Sequence, residues 1–121
     1  MTKIDDAPRE LADAIREFWP AEEWDNAAAV AQLESGWNAF AFVDTSALPV
    51  DAKGFIYYIG DVGVSRERSV SYFQIETLAL PPGWRWFDLF NVRHNVATAH
   101  LYWTQRGWTP WYFSAKALGL I

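Results

Sequence analysis

The stretch Trp24-Asp25-Asn26-Ala27-Ala28-Ala29-Val30-Ala31-Gln32-Leu33-Glu34-Ser35-Gly36 decides how the chain is read. The alanine-rich run from Asn26 to Leu33 favours a helix. Glu23 or Asp25 is placed to open it, where an acidic side chain caps free backbone N–H groups. Gly36 is placed to close it. On that helix the i−3 and i−4 neighbours of Glu34 are Ala31 and Val30, with Ala27 one turn further back, so a carboxyl sits on the apolar stripe. Burial and the negative end of the helix dipole both raise a carboxyl pKa there. A carboxylic acid kept protonated near neutral pH is what general-acid cleavage of an ether-like bond requires. The plain alternative is a solvated glutamate at a fraying helix end.

A first helix precedes this one. It begins near Asp6 or Pro8, carries Leu11, Ala14, Ile15 and Phe18 at helical spacing, and stops before Pro20. After Trp37 the pattern changes. Phe40, Phe42 and Val43 read as a short extended piece, and Gly54 to Gly60 is β-branched and aromatic between two glycines, as in a strand. Asp61 to Ser69 is turn-rich. Ser71 to Ile75 reads either as a last strand or as the start of a short helix. Pro81-Pro82-Gly83 is a loop signal. A third helix is expected from about Asn91 to Arg106, with Val92, Val96, Ala99, Trp103 and Arg106 on one stripe and Gly107 ending it. Thr109 as cap and Pro110 at the first helical position open a last short helix that ends near Gly119. The expected class is α+β: mostly helical, with a small irregular β-sheet between the second and third helices.

Composition narrows the function classes. At 121 residues the chain is one domain's worth, 1–121. With no cysteine, disulfides, thiolate nucleophiles and Cys-based zinc sites are excluded. The net charge of −5 argues against nucleic acid, since nothing neutralises a run of phosphates. It also gives no long-range steering toward an anionic surface, although Arg66, Arg68, Arg85 and Arg93 leave room for a local positive patch. No apolar run reaches the roughly 18 residues of a membrane span, and the N-terminus lacks the pattern of a signal peptide. No metal is expected. His94 and His100 are six apart, roughly 120° around a helix, whereas i, i+4 is the useful spacing. No cofactor loop or serine elbow is present either. The eight Trp exceed what a small core hides completely, and Trp84-Arg85-Trp86 reads either as a sugar-stacking pair or as a core seal.

Four pieces of sequence, in order, resemble one family. Glu34-Ser35-Gly36-Trp37-Asn38 is similar to the Glu-Ser-Gly-x-Asn signature of soluble lytic transglycosylases and goose-type lysozymes. Val70-Ser71-Tyr72-Phe73-Gln74-Ile75 resembles their Gly-Leu-(Met/Phe)-Gln-(Ile/Leu/Val) motif. Asn95-Val96, then Ala99 and Leu101-Tyr102, resembles their Asn-Ile-x-x-Ala helix, and Gly107-Trp108-Thr109-Pro110-Trp111 a closing motif of phage and actinobacterial members. The chain departs from the pattern at Ser71 and Tyr72, where the family has glycine and leucine.

The resemblance implies a lysozyme-like fold and an enzyme that cuts the β-1,4 bond between N-acetylmuramic acid and N-acetylglucosamine in peptidoglycan. Glu34 would protonate the leaving oxygen. Ser35 would support the glutamate or the nearby backbone. Phe73 and Gln74 would lie on the cleft floor, Tyr102 would reach toward Glu34, and Ser71, Tyr72 and Trp111 would complete the substrate contacts. An inverting hydrolase needs a second carboxylate about 6.5–9.5 Å away. Glu76, directly after the second motif, and Asp61, in the loop upstream, are the candidates, with Glu67 behind them. A lytic transglycosylase needs only one carboxyl, because the sugar's own C6 hydroxyl closes a 1,6-anhydro ring. A non-catalytic phage structural or peptidoglycan-binding module is the third reading. The expected partner is the glycan strand, met by a monomer and without nucleic acid or membrane.

Overall fold

The computed structural model describes residues 2–44, 68–76 and 85–121. The expected strand from Gly54 to Gly60, the loop at Pro81-Pro82-Gly83, and the side chains of Asp61, Arg66, Glu67 and Trp84 lie outside the described residues.

Helix α1 spans Arg9–Phe18. Pro8 stands just before it, and its carbonyl accepts the first helical bond, from the N–H of Ala12 at 2.9 Å. Leu11, Ala12, Ala14 and Ile15 are buried. Helix α2 spans Trp24–Ser35, and Ala27 through Ala31 are buried without a break. A helix covered all round is the centre of a core rather than its edge. The small alanine side chains let its neighbours approach closely. Gly36 ends α2 at φ 62°, in the left-handed region where glycine meets no Cβ penalty. The acidic cap expected at α2 is absent: Glu23 makes no capping bond. Asp25 instead accepts from the N–H of Ile4 at 2.9 Å, pinning the 3-10 turn Ile4–Asp6 to this helix.

Three short strands form an antiparallel sheet in the order β1-β2-β3, with β1 at Phe42–Asp44, β2 at Arg68–Val70 and β3 at Ile75–Glu76. Phe42 pairs with Val70 and Val70 with Ile75. Of the stretch Ser71 to Ile75, expected as strand or helix, only Ile75 is strand, and Ser71–Gln74 are neither. They form a turn with Ser71 at φ 63° and Gln74 at φ 47°. Two left-handed residues so close cannot continue either regular element. The turn is held by the Gln74 amide, which donates to the carbonyls of Ser71 (2.9 Å) and Ala41 (3.1 Å).

Helix α3 spans Val92–Arg106. The Asn91 side chain caps it, accepting from the N–H groups of Arg93 and His94. Its buried face is Asn95, Val96, Thr98, Ala99 and Tyr102. That is rotated from the expected stripe, because Asn95 and Thr98 are buried polar residues and Arg106 is exposed. Asn95 is fully buried and satisfied. Its carbonyl oxygen accepts from the N–H of Phe73 (3.0 Å), and its amide donates to the carbonyls of Val70 (2.9 Å) and Leu89 (3.1 Å). One side chain thus fastens the β2–β3 turn and the 3-10 helix Trp86–Phe90 to α3.

Trp19 centres the aromatic core, with the rings of Phe73, Trp103, Trp108 and His100 within 5.3–5.8 Å. The indole N–H groups of the buried Trp19 and Trp111 and of the partly buried Trp24 and Trp37 each donate to a backbone carbonyl, so these rings leave water with their donors satisfied. The C-terminal segment is a 3-10 turn, Thr109–Trp111, followed by α4, Tyr112–Ala117. Thr109 is not the expected cap; its hydroxyl donates back to the carbonyl of Arg106 at 2.8 Å. The arrangement is α+β, and no helix among the described residues is long and apolar enough to cross a membrane.

Candidate functional site

Glu34 lies in the last turn of α2, half-buried. Its Oε2 accepts a hydrogen bond from the hydroxyl of Ser114 on α4, and Ser114 is only 8% exposed. Burial pushes the Glu34 carboxyl above its ordinary range, and the Ser114 bond, which favours the charged form, opposes this. Among the described residues no cation pairs with Glu34. Lys3 is engaged with Asp25 at 3.5 Å, and Arg16 with Asp5 at 2.6 Å. A carboxyl without a cation, partly withdrawn from water, holds its proton more tightly than one in solution.

Ser35 does not touch the Glu34 carboxyl. Its hydroxyl donates to the carbonyl of Ala31 at 2.9 Å, one turn back in its own helix. The hydroxyl that does support Glu34, Ser114, was not among the expected residues. The sequence signal for it is faint: a serine directly after an aromatic pair, Tyr112-Phe113, in a short terminal helix.

A cleft of about 60 Å³ opens beside the sheet, lined by Gln74, Ile75, Glu76, Tyr102, Arg106, Pro110 and Trp111. Four of the expected site residues therefore meet: Gln74 and Glu76 from the hairpin, Tyr102 from α3, and Trp111 from the C-terminal segment. Glu34 is not part of this lining. The two places are linked by the C-terminal segment, since Trp111 walls the cleft and Ser114, about one turn later, holds Glu34. Tyr102 does not reach Glu34 as expected. Its buried hydroxyl has no hydrogen-bond partner among the described residues. Burial raises its pKa; Arg106, whose guanidinium lies 5.1 Å from the ring centroid, pulls it down, and Glu76 pushes it up.

The remaining expected contacts lie elsewhere. Phe73 is fully buried and stacked on Trp19 at 5.8 Å, so it is core and not cleft floor. Its backbone is held at both ends, by Asn95 and by the Trp111 indole at 2.8 Å. Tyr72 is buried, and its hydroxyl donates to Glu10 on α1 at 2.5 Å, off the cleft. Burial, together with Glu10, pushes that phenol well above its ordinary range. Ser71 is fully buried, and its hydroxyl has no partner among the described residues. The expected positive patch loses two members to neighbouring acids. Arg93 makes a two-pronged bond to Glu17 (2.9 and 2.6 Å), and Arg85 lies 3.9 Å from Asp88.

His100 packs against Trp19 and Trp103, and burial lowers its pKa. Among the described residues no three His, Asp or Glu side chains converge as a metal ion requires. Compared with protein-family models, with curated proteins and with solved structures, the chain matches none.

Proposed function

We propose that this chain is a muralytic glycosidase of lysozyme-like fold, cleaving the β-1,4 bond between N-acetylmuramic acid and N-acetylglucosamine, with Glu34 as general acid. The observation that carries the proposal is the Glu34 carboxyl itself. It stands at the end of a buried helix, above its ordinary pKa through burial, with a neutral hydroxyl donor and no cation among the described residues. The order of the four family-like sequence pieces supports the reading, as does the placement of a small sheet between α2 and α3.

In the reaction, the Glu34 proton passes to the glycosidic oxygen as the C1–O bond breaks, and the positive charge that develops on the sugar ring is quenched in one of two ways. In a hydrolase, water adds to C1 after losing a proton to a second carboxylate. Glu76 is the candidate among the described residues, as the one carboxylate lining the cleft. In a lytic transglycosylase the C6 hydroxyl adds instead, and Glu34, now ionised, takes up its proton. The second reading draws support from Glu34 lying outside the cleft lining that contains Glu76, because that route needs one carboxyl only.

Purified murein digested with the wild-type protein and analysed by mass spectrometry tests the proposal. Muropeptides with reducing ends are the hydrolase result, and 1,6-anhydro ends alone give the transglycosylase. A folded protein that releases no soluble fragments overturns the reading and leaves a binding module.

A further inference from the structure

We propose that Ser114 is a positioning residue for Glu34, so that the C-terminal helix α4 is part of the acid's site and not merely a cover on the core. The inference rests on the reading of Glu34 as the acid, but its physical content can be tested without activity. Ser114 and Glu34 are 80 positions apart, and their side chains meet hydroxyl to carboxylate. The bond is a choice of partner. A serine in a helix ordinarily bonds the carbonyl one turn back, as Ser35 does to Ala31. Ser114, 8% exposed, donates across to α2 instead.

Two consequences follow from the chemistry. The bond holds one carboxyl oxygen on the α4 side, leaving the other oxygen to carry the proton outward. It also favours the ionised carboxyl and so offsets part of the rise that burial causes. Among the described residues no other charge competes for that role. On α1, Arg9 lies by Asp13, Arg16 by Asp5 and Asp13, Glu17 by Arg93, and Glu10 accepts from Tyr72. On the turn Ile4–Asp6 and beside it, Lys3 pairs with Asp25, and Asp6 accepts from the N–H of Lys3. On the turn Ala21–Glu23, at the opposite end of α2, Glu23 accepts from Asn26 and Glu22 stands one residue before it. On α4, the Lys116 ammonium lies 3.4 Å from the Tyr112 hydroxyl.

The test follows the Glu34 side-chain carboxyl carbon by NMR through a pH titration in the wild type, Ser114→Ala and Ser114→Thr. In Ser114→Ala the midpoint is expected to rise by about one pH unit, roughly a tenfold gain in proton affinity. Ser114→Thr, which keeps the hydroxyl, returns it toward the wild-type value. The alkaline limb of murein cleavage moves up with the midpoint in Ser114→Ala. An unchanged midpoint in Ser114→Ala overturns the inference, as does a Ser114→Thr midpoint that stays with the alanine variant. If alanine prevents folding, Ser114→Cys, a weaker donor of similar size, is titrated in its place with the same expected direction. A shifted midpoint in a protein that never cleaves murein would sustain the inference and remove the proposed function.

Discussion

Replacing Asn95 by alanine removes three hydrogen bonds at once from the interior of the fold. The N–H of Phe73 and the carbonyls of Val70 and Leu89 each bond to this one side chain, which is fully buried. A buried polar group left without a partner costs about 1–3 kcal/mol, with carbonyls toward the low end. Three such groups give a loss of roughly 3–5 kcal/mol, a large share of the 5–15 kcal/mol that typically holds a domain together. Urea denaturation followed by tryptophan fluorescence reads this as a lower midpoint at constant slope. Heating reads it as a fall in Tm of roughly 10–20 °C. Asn95→Asp is a sharper probe. It keeps an acceptor for Phe73 but turns a carboxylate toward two carbonyl oxygens, so it costs more than alanine at neutral pH. The introduced carboxyl then binds its proton more tightly in the folded state than in the unfolded chain, and stability recovers as the pH falls through that raised pKa. A loss below about 1 kcal/mol for Asn95→Ala would refute the reasoning, because the three backbone groups would then have partners elsewhere.

Three further outcomes are expected. Ser71→Gly stabilises the fold by about 1 kcal/mol, since it relieves a left-handed backbone and removes a buried hydroxyl without a partner, less the entropy that glycine loses on folding; a lower Tm contradicts it. Tyr102→Phe likewise gains up to about 1 kcal/mol by deleting an unpaired buried hydroxyl, and a loss in thermal denaturation would show that the hydroxyl is bonded. Glu34→Gln raises stability at neutral pH. The wild-type carboxyl has its pKa raised in the folded state, so its favourable contribution is complete only below the unfolded carboxyl's range and disappears as the pH rises through the folded value. The gain is small, because Glu34 keeps part of its solvent and its Ser114 bond opposes the rise. It vanishes in denaturation curves taken at acid pH, and a gain independent of pH would contradict it.

The helices were legible because their signals are local. The alanine run and Gly36 bound α2, Asn91 and Gly107 bound α3, and the structure ends them at those residues. The β2–β3 turn was hidden because its two left-handed positions are Ser71 and Gln74, with no glycine, asparagine or aspartate to announce them. The buried face of α3 differs from the expected stripe for a related reason. Asn95 and Thr98 look like solvent-facing residues in a helical pattern, and only the groups across the fold, Val70, Phe73 and Leu89, make a buried asparagine favourable. At the site, Glu34 could be read from its own helix, because its neighbours one turn back are apolar. Its partner Ser114 could not, since the contact spans 80 positions and nothing local distinguishes that serine. The motif resemblance alone makes Tyr72 and Phe73 cleft residues. The turn directs them instead into the core, one to Glu10 and the other to Trp19.

The most direct test of the account sets wild-type protein and Glu34→Gln side by side on purified murein, with circular dichroism confirming that both are folded. Loss of a positioned general acid lowers the rate of fragment release by about 10²–10⁴. That result is expected, because glutamine keeps the acceptor for Ser114 and lacks the proton. Release at the wild-type rate by the glutamine variant would contradict the claim that this carboxyl breaks the bond.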